Sequence, residues 1–293
     1  MVNLNRVKKK FYLSYKKITH FQTENYLNYL NKDSILLKYW DFEVNWGDKV
    51  NPYIFNKLTG LNVVSSNSVF NFLKKTEILG IGSIISGNIE NYVIWGSGII
   101  SQDTVFFGKP KEVLAIRGKN TQKKLNQIGV NCEVMGDPVL LFPDIFPGTH
   151  IQKKYKYGII PHFKNKQSVL IKKLTALQNP EIKIIDIQSN GIEQFVEDIL
   201  SCENILSSSL HGLIVAEAYG IPTRHLVISE KLLGGDFKFI DYYSGVGINN
   251  LDTTMIHDDL SNLNNVLNGC SQKNLKFDSG ALKNALTEYI KRS

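Results

Sequence analysis

The segment Ser207-Ser208-Ser209-Leu210-His211-Gly212 has the clearest chemical pattern in the sequence. It follows a predicted strand at 204–207 and precedes a predicted helix at 213–219, so unpaired backbone N–H groups and the positive end of a helix dipole meet there. The serine hydroxyls add further hydrogen-bond donors. We therefore expect an anion site, with His211 beside it as a group that titrates near neutral pH. A serine-rich helix start with a structural histidine is the alternative interpretation.

Two cations, Arg117 and Lys238, are expected to bind the anionic groups of a substrate. Arg117 ends a predicted apolar strand, and its planar guanidinium suits a carboxylate or a phosphate. Lys238 lies among aromatic residues at 235–243, where an ammonium can act as a point charge for phosphate. The alternatives are a salt bridge from Arg117 to Asp137 or another acid, and a buried aromatic ridge beside a Lys238 amine that reaches solvent.

The turn Trp95-Gly96-Ser97-Gly98 follows another predicted strand, at 92–95. Glycines allow a backbone to approach a ligand closely, so Gly96, Ser97 and Gly98 are expected to line the anion site. The turn lacks the third glycine of the dinucleotide-binding fingerprint. A tight turn without a ligand is the alternative.

Three more polar residues follow a glycine or a predicted strand end: Asp48, Asp137 and His162. Asp48 and His162 are candidates to assist His211 in proton transfer, and Asp137 is a candidate to accept hydrogen bonds from sugar hydroxyls. Helix capping is the alternative for each carboxylate taken singly. The sequence has no spacing typical of metal ligands, so we expect no required metal.

The elements that must position these residues alternate between short apolar runs and longer amphipathic ones, which is typical of βαβ units around a parallel sheet. This pattern predicts an α/β fold. The predicted strands are Ile35–Tyr39, Tyr92–Trp95, Val113–Arg117, Tyr157–Pro161, Ile182–Asp186 and Asn204–Ser207. The predicted helices are 47–58, Thr121–Ile128 with Thr121 as its N-cap, 191–201, and one that ends at Gly220.

A stretch without periodicity, 141–156, is interpreted as the crossover between two halves of the chain. We expect a basic helical arm at 1–30, an N-terminal Rossmann-like domain at 31–148, and a C-terminal one at 149–293 that ends in a closing helix. Residues 1–20 carry six Lys or Arg and no acid, which is most of the formal net charge of +7. Peripheral contact of this arm with an anionic membrane is the minority interpretation. The remaining near-neutral chain argues against a nucleic-acid partner.

Composition is ordinary for a globular protein, with 43% hydrophobic and 21% charged residues. No apolar stretch is long enough to span a membrane and no secretory signal is evident, so we expect a cytoplasmic protein. The three cysteines are far apart and are expected to be reduced.

Taken together and in this order, these segments resemble the polysaccharide pyruvyl transferase family. The most specific match is Ser207 to Pro222. It is supported by Asn45-x-Gly47-Asp48, Trp95-Gly96-Ser97-Gly98, Arg117-Gly118-x-x-Thr121, Gly136-Asp137-Pro138 and Ile159-Ile160-Pro161-His162. The resemblance implies two Rossmann-like domains that face each other across a cleft, as in GT-B glycosyltransferases. It covers roughly residues 35–245, leaving out the first 30 residues and the tail.

The resemblance also implies an activity: transfer of pyruvate from phosphoenolpyruvate (PEP) to a cell-surface glycan, often lipid-linked, as a cyclic ketal. It implies that His211 is the active-site histidine and that Arg117 holds PEP. PEP is a co-substrate, and no cofactor is expected. Tyr242 and Tyr243 lie in the aromatic segment and are expected to stack on the acceptor sugar.

Two other functions remain open from the residues themselves. A GT-B glycosyltransferase that uses a nucleotide sugar would share the architecture and the anion site, with Glu217 placed to serve a ribose. A glycan- or nucleotide-binding module would bind without releasing phosphate.

Overall fold

The computed structural model describes residues 23–31, 33–189, 191–228 and 235–293. Two parallel five-stranded sheets form its framework. The first sheet contains β1 (Ser34–Lys38), β2 (Asn62–Ser65), β3 (Glu77–Leu79), β5 (Tyr92–Trp95) and β7 (Glu112–Ala115). The second contains β8 (Tyr155–Ile160), β9 (Ile182–Ile184), β10 (Cys202–Ser207), β11 (Thr223–Val227) and β12 (Thr253–Met255). A separate pair joins β4 (Gly87–Asn88) to β6 (Phe106–Phe107).

The two large sheets have the same strand order. They run β2-β1-β3-β5-β7 and β9-β8-β10-β11-β12, so in each the first strand lies between the second and the third. In each sheet the chain first adds a strand on one side of the first strand and then continues on the other side. The connections therefore diverge between β1 and β3, and again between β8 and β10. In open α/β sheets, ligands bind outside the carboxyl ends of the strands at such a switch point.

Ten α-helices are described in the residues listed above. They are α1 (Thr23–Leu30), α2 (Trp46–Thr59), α3 (Lys119–Asn126), α4 (Phe142–Ile145), α5 (Val169–Ala176), α6 (Ile192–Leu200), α7 (Leu210–Ala218), α8 (Phe237–Gly245), α9 (Leu263–Leu267) and α10 (Ser279–Arg292). Short 3₁₀ helices cover Pro138–Leu141 and Phe163–Asn165. None of the helices in the described part of the chain has both the length and the apolar character needed to cross a membrane.

Helix α2 shows how local sequence sets an element that bears on the site. The Asn45 side chain accepts a hydrogen bond from the Gly47 backbone at 3.3 Å and so caps the helix start. At the other end Gly60 adopts a left-handed φ of 71°, which ends the helix. Val50 and Ile54 face the core at helical spacing. The cap fixes the first turn, which carries Asp48.

The largest cluster of buried apolar side chains draws on both halves of the chain. It includes Trp46 and Trp95 from the first half, and Ile160 and Leu213 from the second. The Trp46 indole donates a hydrogen bond to the Ile192 carbonyl at 2.9 Å. Burial of these large side chains contributes on the order of 2 kcal/mol each. The two sheets thus share one continuous core.

The C-terminal helix α10 packs against the first sheet, although sequence reasoning groups it with the second half. The Trp95 indole donates to the Leu282 carbonyl at 2.9 Å, and Arg292 forms an ion pair with Glu112 of β7. The division at 148/149 stays a prediction. The basic residues of the predicted arm lie outside the described residues, whereas its last part forms α1.

The α/β class and the six predicted strands are confirmed, and each predicted boundary lies within two residues of the observed one. β2, β3 and β12 were not predicted because each has only three or four residues. β11 was not predicted because Thr223, Arg224 and His225 interrupt its apolar run. The prediction of Thr121 as an N-cap is wrong: α3 begins at Lys119, and Thr121 lies inside it. Both its backbone N–H and its hydroxyl donate to the Asp241 carboxylate, at 2.9 and 2.8 Å. The Asp241 carboxylate, which is distant in the sequence, thus accepts a backbone hydrogen bond from the first turn of α3 that an N-cap side chain would otherwise accept.

Candidate active site

A cavity of about 460 Å³ lies at the carboxyl ends of β1, β3, β8 and β10, the strands that flank both switch points. Segments that follow these four strands form most of its lining, together with Ile100 from the chain after β5 and Lys238 from α8. Its polar lining residues are Glu43, Asn45, Asp48, Ser83, His162, Lys164, Ser209, His211 and Lys238. The cavity thus collects two carboxyl groups, two imidazoles and two lysines from distant parts of the chain.

His211 lies in the first turn of α7 with its ring packed against Gly47. A Cβ added to Gly47 would lie 1.8 Å from His211 Nδ1, so this position requires glycine. The His211 Nε2 atom is buried, 3.8 Å from Asp137 Oδ2. Neither of these two atoms has a hydrogen-bond partner among the described residues. Burial, with help from the charges of Lys238 and Arg117, lowers the pKa of His211 to about 3. The imidazole is therefore neutral near pH 7.

Asp137 stands behind His211 and does not line the cavity. Its Oδ1 atom accepts a hydrogen bond from the Val139 backbone at 3.0 Å, and its side chain is fully buried. Burial raises the pKa of Asp137 to about 6. The prediction that Asp137 binds acceptor hydroxyls does not fit this position, because its side chain is fully buried and does not line the cavity. Its carboxylate instead faces the Nε2 atom of the His211 ring.

Asp48 and Lys238 face the same cavity. Burial raises the pKa of Asp48 to about 8, against the opposing effect of the Lys238 charge. Burial also lowers the pKa of Lys238 to about 8, and the positive charge of Arg117 acts in the same direction. Both groups therefore titrate just above neutral pH, and Asp48 retains a proton at pH 7. A carboxyl group with this pKa is suited to donate a proton.

His162 follows β8 and is held by the serine segment. Its backbone N–H donates to the Ser208 hydroxyl at 2.8 Å, and its Nδ1 accepts from the Lys164 N–H at 3.3 Å. Burial, with the charges of Lys238 and Lys164, lowers the pKa of His162 to about 3. Since Nδ1 accepts, the neutral ring carries its proton on Nε2. His162 can therefore donate a hydrogen bond to a ligand.

The three serines have different surroundings. The Ser207 hydroxyl accepts from the Ser209 N–H at 3.0 Å and contacts backbone carbonyls, and Ser208 is occupied with His162. Both side chains are fully buried. Ser209 alone of the three lines the cavity, and it makes no capping hydrogen bond to α7. Of the serines predicted to bind the donor, only Ser209 is thus placed to do so directly.

Arg117 is 1% exposed and forms a buried ion pair with Asp241, 2.9 Å from Nη2 to Oδ2. Its guanidinium also donates to the Ile99 carbonyl at 2.7 Å and to the Ser83 hydroxyl at 2.5 Å. The structure therefore places the predicted PEP-binding arginine one layer behind the cavity. Its contact with the ligand space runs through Ser83, which lines the cavity.

The glycine turn after β5 is packed rather than open. Gly96 has a φ of 78°, and a Cβ there would lie 2.1 Å from the Pro138 ring. A Cβ at Gly98 would lie 2.5 Å from the Arg117 guanidinium, and the buried Ser97 hydroxyl donates to the Gly80 carbonyl. The prediction that Gly96, Ser97 and Gly98 bind the donor does not fit. Gly96 leaves room for the Pro138 ring and Gly98 leaves room for the Arg117 guanidinium, so neither glycine makes space for a ligand.

Tyr242 and Tyr243 do not line the cavity either. Their hydroxyls donate to the Glu217 carboxylate at 2.8 and 2.6 Å, and Thr223 donates to the same group at 2.7 Å. All four residues are buried. The expectation that the tyrosines stack on the acceptor does not fit, and Glu217 is equally out of reach of a ribose.

Sequence reasoning missed Ser83 and Trp40, which both line the cavity. Trp40 directly follows the predicted strand at 35–39, so its position at the carboxyl end of the sheet could have been predicted from the sequence. Ser83 follows β3, a three-residue strand that the hydrophobic pattern did not reveal.

Comparison with known proteins gives three findings. A family model described as polysaccharide pyruvyl transferase matches residues 4–230. An uncharacterised protein of Acanthamoeba polyphaga mimivirus is 33% identical over 223 residues, which cover 74% of this chain and 76% of that protein. The succinoglycan biosynthesis protein ExoV of Rhizobium meliloti is 23% identical over 219 residues, covering 72% of this chain and 64% of its own length.

Among solved structures, an uncharacterised protein from Klebsiella pneumoniae aligns over 88% of this chain and 100% of its own. The TM-score is 0.44 and the sequence identity is 14%.

Proposed function

The chain belongs to the polysaccharide pyruvyl transferase family, and from that premise we propose that it transfers pyruvate from PEP to two hydroxyls of one sugar, forming a cyclic ketal and releasing phosphate. The observation that carries the proposal is one cavity holding Asp48 and His211, whose pKa values are displaced in opposite directions, beside Lys238. Groups displaced in this way supply the acid and the base of a reaction near neutral pH.

The donor binds, in this proposal, at the end of the cavity formed by α7 and α8. Lys238 supplies a charge for the phosphate or the carboxylate, and the amides of the first turn of α7 point toward the same space. The Ser209 hydroxyl and His162 Nε2 supply neutral donors. This set replaces the sequence-based expectation of Arg117, whose hydrogen bonds are largely taken by Asp241, Ile99 and Ser83.

Ketal formation then needs two new C–O bonds at C2 of PEP, the first by addition of a hydroxyl and the second by displacement of phosphate. The Asp48 carboxyl donates a proton to C3, and C2 gains oxocarbenium character. The first sugar hydroxyl bonds to C2 while His211 accepts its proton. The second hydroxyl then bonds to C2, and the C2–O bond to phosphate breaks with its electron pair on phosphate. Asp48 takes up the second hydroxyl proton, and protonated His211 gives its proton to the leaving phosphate. Both residues return to their starting states.

Asp137 assists as a positioning residue. When His211 becomes positively charged, the carboxylate 3.8 Å from its Nε2 stabilises that charge in a water-poor setting. The buried Oδ1 contact with Val139 holds the carboxylate in this orientation.

We further propose that the acceptor is a cell-surface glycan, as a polymer or as a lipid-linked precursor, and that the two sheets form a GT-B-like cleft around it. PEP is a cytosolic metabolite, which supports a cytoplasmic enzyme. The proton transfers proposed above use only protein side chains, so the proposal includes no metal or further cofactor. Peripheral contact of residues 1–20 with an anionic membrane would suit a lipid-linked acceptor.

The test is thermal stabilisation by PEP, by UDP-sugars and by inorganic phosphate, compared in wild type and Lys238→Met. A ligand at 100 times its dissociation constant stabilises by about 2.7 kcal/mol, which a melt resolves. We expect PEP to stabilise wild type selectively and Lys238→Met to lose the shift. Stabilisation by UDP-sugars alone would favour a glycosyltransferase instead. Lys172→Met, on the surface of α5, is the matched control.

A further inference from the structure

We propose that a second cavity, which opens beside the first, binds the sugar ring next to the one that receives pyruvate. It has a volume of about 230 Å³. Its lining residues are Lys38, Tyr39, Trp40, Phe42, Asn67, Leu79, Ser83, Ile84, Ser86 and Tyr92. This side cavity, as we call it, deepens the proposed function and rests on it, because it assigns the acceptor subsite of the same reaction.

The side cavity adjoins the space where the reaction is proposed to occur. Trp40, Ser83 and Ile84 line both cavities. A sugar whose hydroxyls point at His211 would therefore have its glycosidic neighbour within reach of the side cavity. The volume suits a single pyranose ring, since ligand pockets of several hundred Å³ hold larger, drug-sized molecules.

The lining has the two kinds of surface that sugars need. Tyr39, Phe42 and Tyr92 supply aromatic rings, whose flat faces pack against the C–H groups of a pyranose. Ser86 and Ser83 supply hydroxyls for the edges of the ring. Ser83 Oγ accepts a hydrogen bond from Arg117 Nη1 at 2.5 Å, so its own proton is directed elsewhere.

The aromatic wall is held in place by a polar cluster beneath it. Asn67 Nδ2 donates to the Tyr39 carbonyl at 3.1 Å and to Asp41 Oδ1 at 2.7 Å. Ser65 donates to Asp41 Oδ2 at 3.1 Å. These bonds fix the segment 39–42, in which the Trp40 and Phe42 rings lie 4.6 Å apart. A wall that is already ordered loses little entropy on binding.

PEP does not suit the side cavity as well as a sugar does. PEP is small and carries two anionic groups. The first cavity meets such charges with Lys164, Lys238 and the α7 amides, whereas the lysine that lines the side cavity, Lys38, donates its hydrogen bond to Asn67 Oδ1. The residues expected from sequence to bind the acceptor, Asp137, Tyr242 and Tyr243, are all buried elsewhere. The side cavity supplies the aromatic and polar groups that those positions do not.

The experiment compares glycan binding by wild type, Ser86→Trp and Phe42→Ala, with Phe107→Ala as a control. Ser86 is exposed at the edge of the side cavity, so a tryptophan there fills it without disturbing the core. Phe107 is 54% exposed and lines neither cavity. Each protein, saturated with PEP, is applied to an array of hexose-containing mono-, di- and trisaccharides, and its melting shift with PEP is recorded in parallel.

We expect Ser86→Trp and Phe42→Ala to bind di- and trisaccharides about tenfold more weakly than wild type, with little change for monosaccharides and an unchanged PEP shift. Phe107→Ala should match wild type. Equal binding of disaccharides by wild type and Ser86→Trp would overturn the proposal, as would the absence of glycan binding by wild type. If PEP gives no shift while glycan binding still depends on the side cavity, the subsite stands and the donor assignment fails.

Discussion

Two turns that directly follow strands looked alike in the sequence and differ in the structure. The first, 95–98 after β5, is sealed by Pro138 and Arg117. The second, 207–211 after β10, opens into the cavity through Ser209 and His211. Strand order explains the difference: β10 flanks a switch point, whereas β5 lies between β3 and β7, and the chain after β5 reaches the cavity only at Ile100, beyond the turn. Small and polar residues after a strand indicate a ligand only where neighbouring crossovers diverge and leave space.

The sharpest test of this comparison exchanges one side chain in each turn for alanine. His211→Ala should lower kcat by about a thousandfold, because proton transfer by a positioned side chain contributes on this scale. Ser97→Ala, in the sealed turn, should keep near-wild-type activity and lose about 1 kcal/mol of stability with its hydrogen bond to Gly80. Phosphate release and thermal melts measure both. A folded and active His211→Ala would end the catalytic assignment.

Asp48→Asn should lower kcat by about a hundredfold and change the pH profile. The wild-type rate should fall as pH rises through about 8, because Asp48 must be protonated to donate. That alkaline decline in kcat should be absent from the residual activity of the variant. The variant should also have a higher melting temperature at pH 7–9. Folding raises the pKa of Asp48, so this residue lowers the stability of the folded state at any pH at which its carboxyl is ionised in the unfolded chain. Retention of the alkaline decline would assign it to another group.

Asp137→Asn tests the residue behind the open turn. We expect kcat to fall by about tenfold, with the KM for PEP little changed, because the amide stabilises a charged His211 less well than a carboxylate does. Any decline of kcat at acid pH should move to lower pH, since His211 becomes less basic. If the variant lost only thermal stability and kept the pH profile of kcat, the role of Asp137 would be structural.

A small effect on catalysis is also expected from Gly98→Ala in the sealed turn. Its Cβ would collide with the Arg117 guanidinium and should cost about 1–3 kcal/mol of stability. Activity per folded molecule should fall far less than in His211→Ala. Urea unfolding and phosphate release give the two numbers. A large loss of activity at unchanged stability would mean that this turn meets a ligand after all.

The sequence predicted the α/β class, the six clearest strands and three of the residues that line the cavity as catalytic candidates: Asp48, His162 and His211. These follow from local signals, namely apolar runs and the polar residues after them. Lys238 and Ser209 were also predicted to bind the donor, and both line the cavity. Short strands such as β3 were missed because three residues carry too little periodicity, and Ser83 was missed with them.

The errors have one common cause. Asp137, Arg117, Tyr242 and Tyr243 have side chains suited to binding, and each found its partner inside the protein instead. Arg117 pairs with Asp241, 124 residues further along the chain. No local pattern reveals such a pairing, since it depends on where α8 returns to the first sheet.

By itself, the sequence determined which groups could do chemistry and at which strand ends they stand, because strand ends follow from hydrophobic periodicity and turn residues. Only the tertiary structure decided which of those groups face open space. Side chains at the two switch points point into the cavity, while equally polar ones elsewhere are buried against each other. Burial also set the pKa values of Asp48, His211 and Lys238, and burial is a property of the assembled fold.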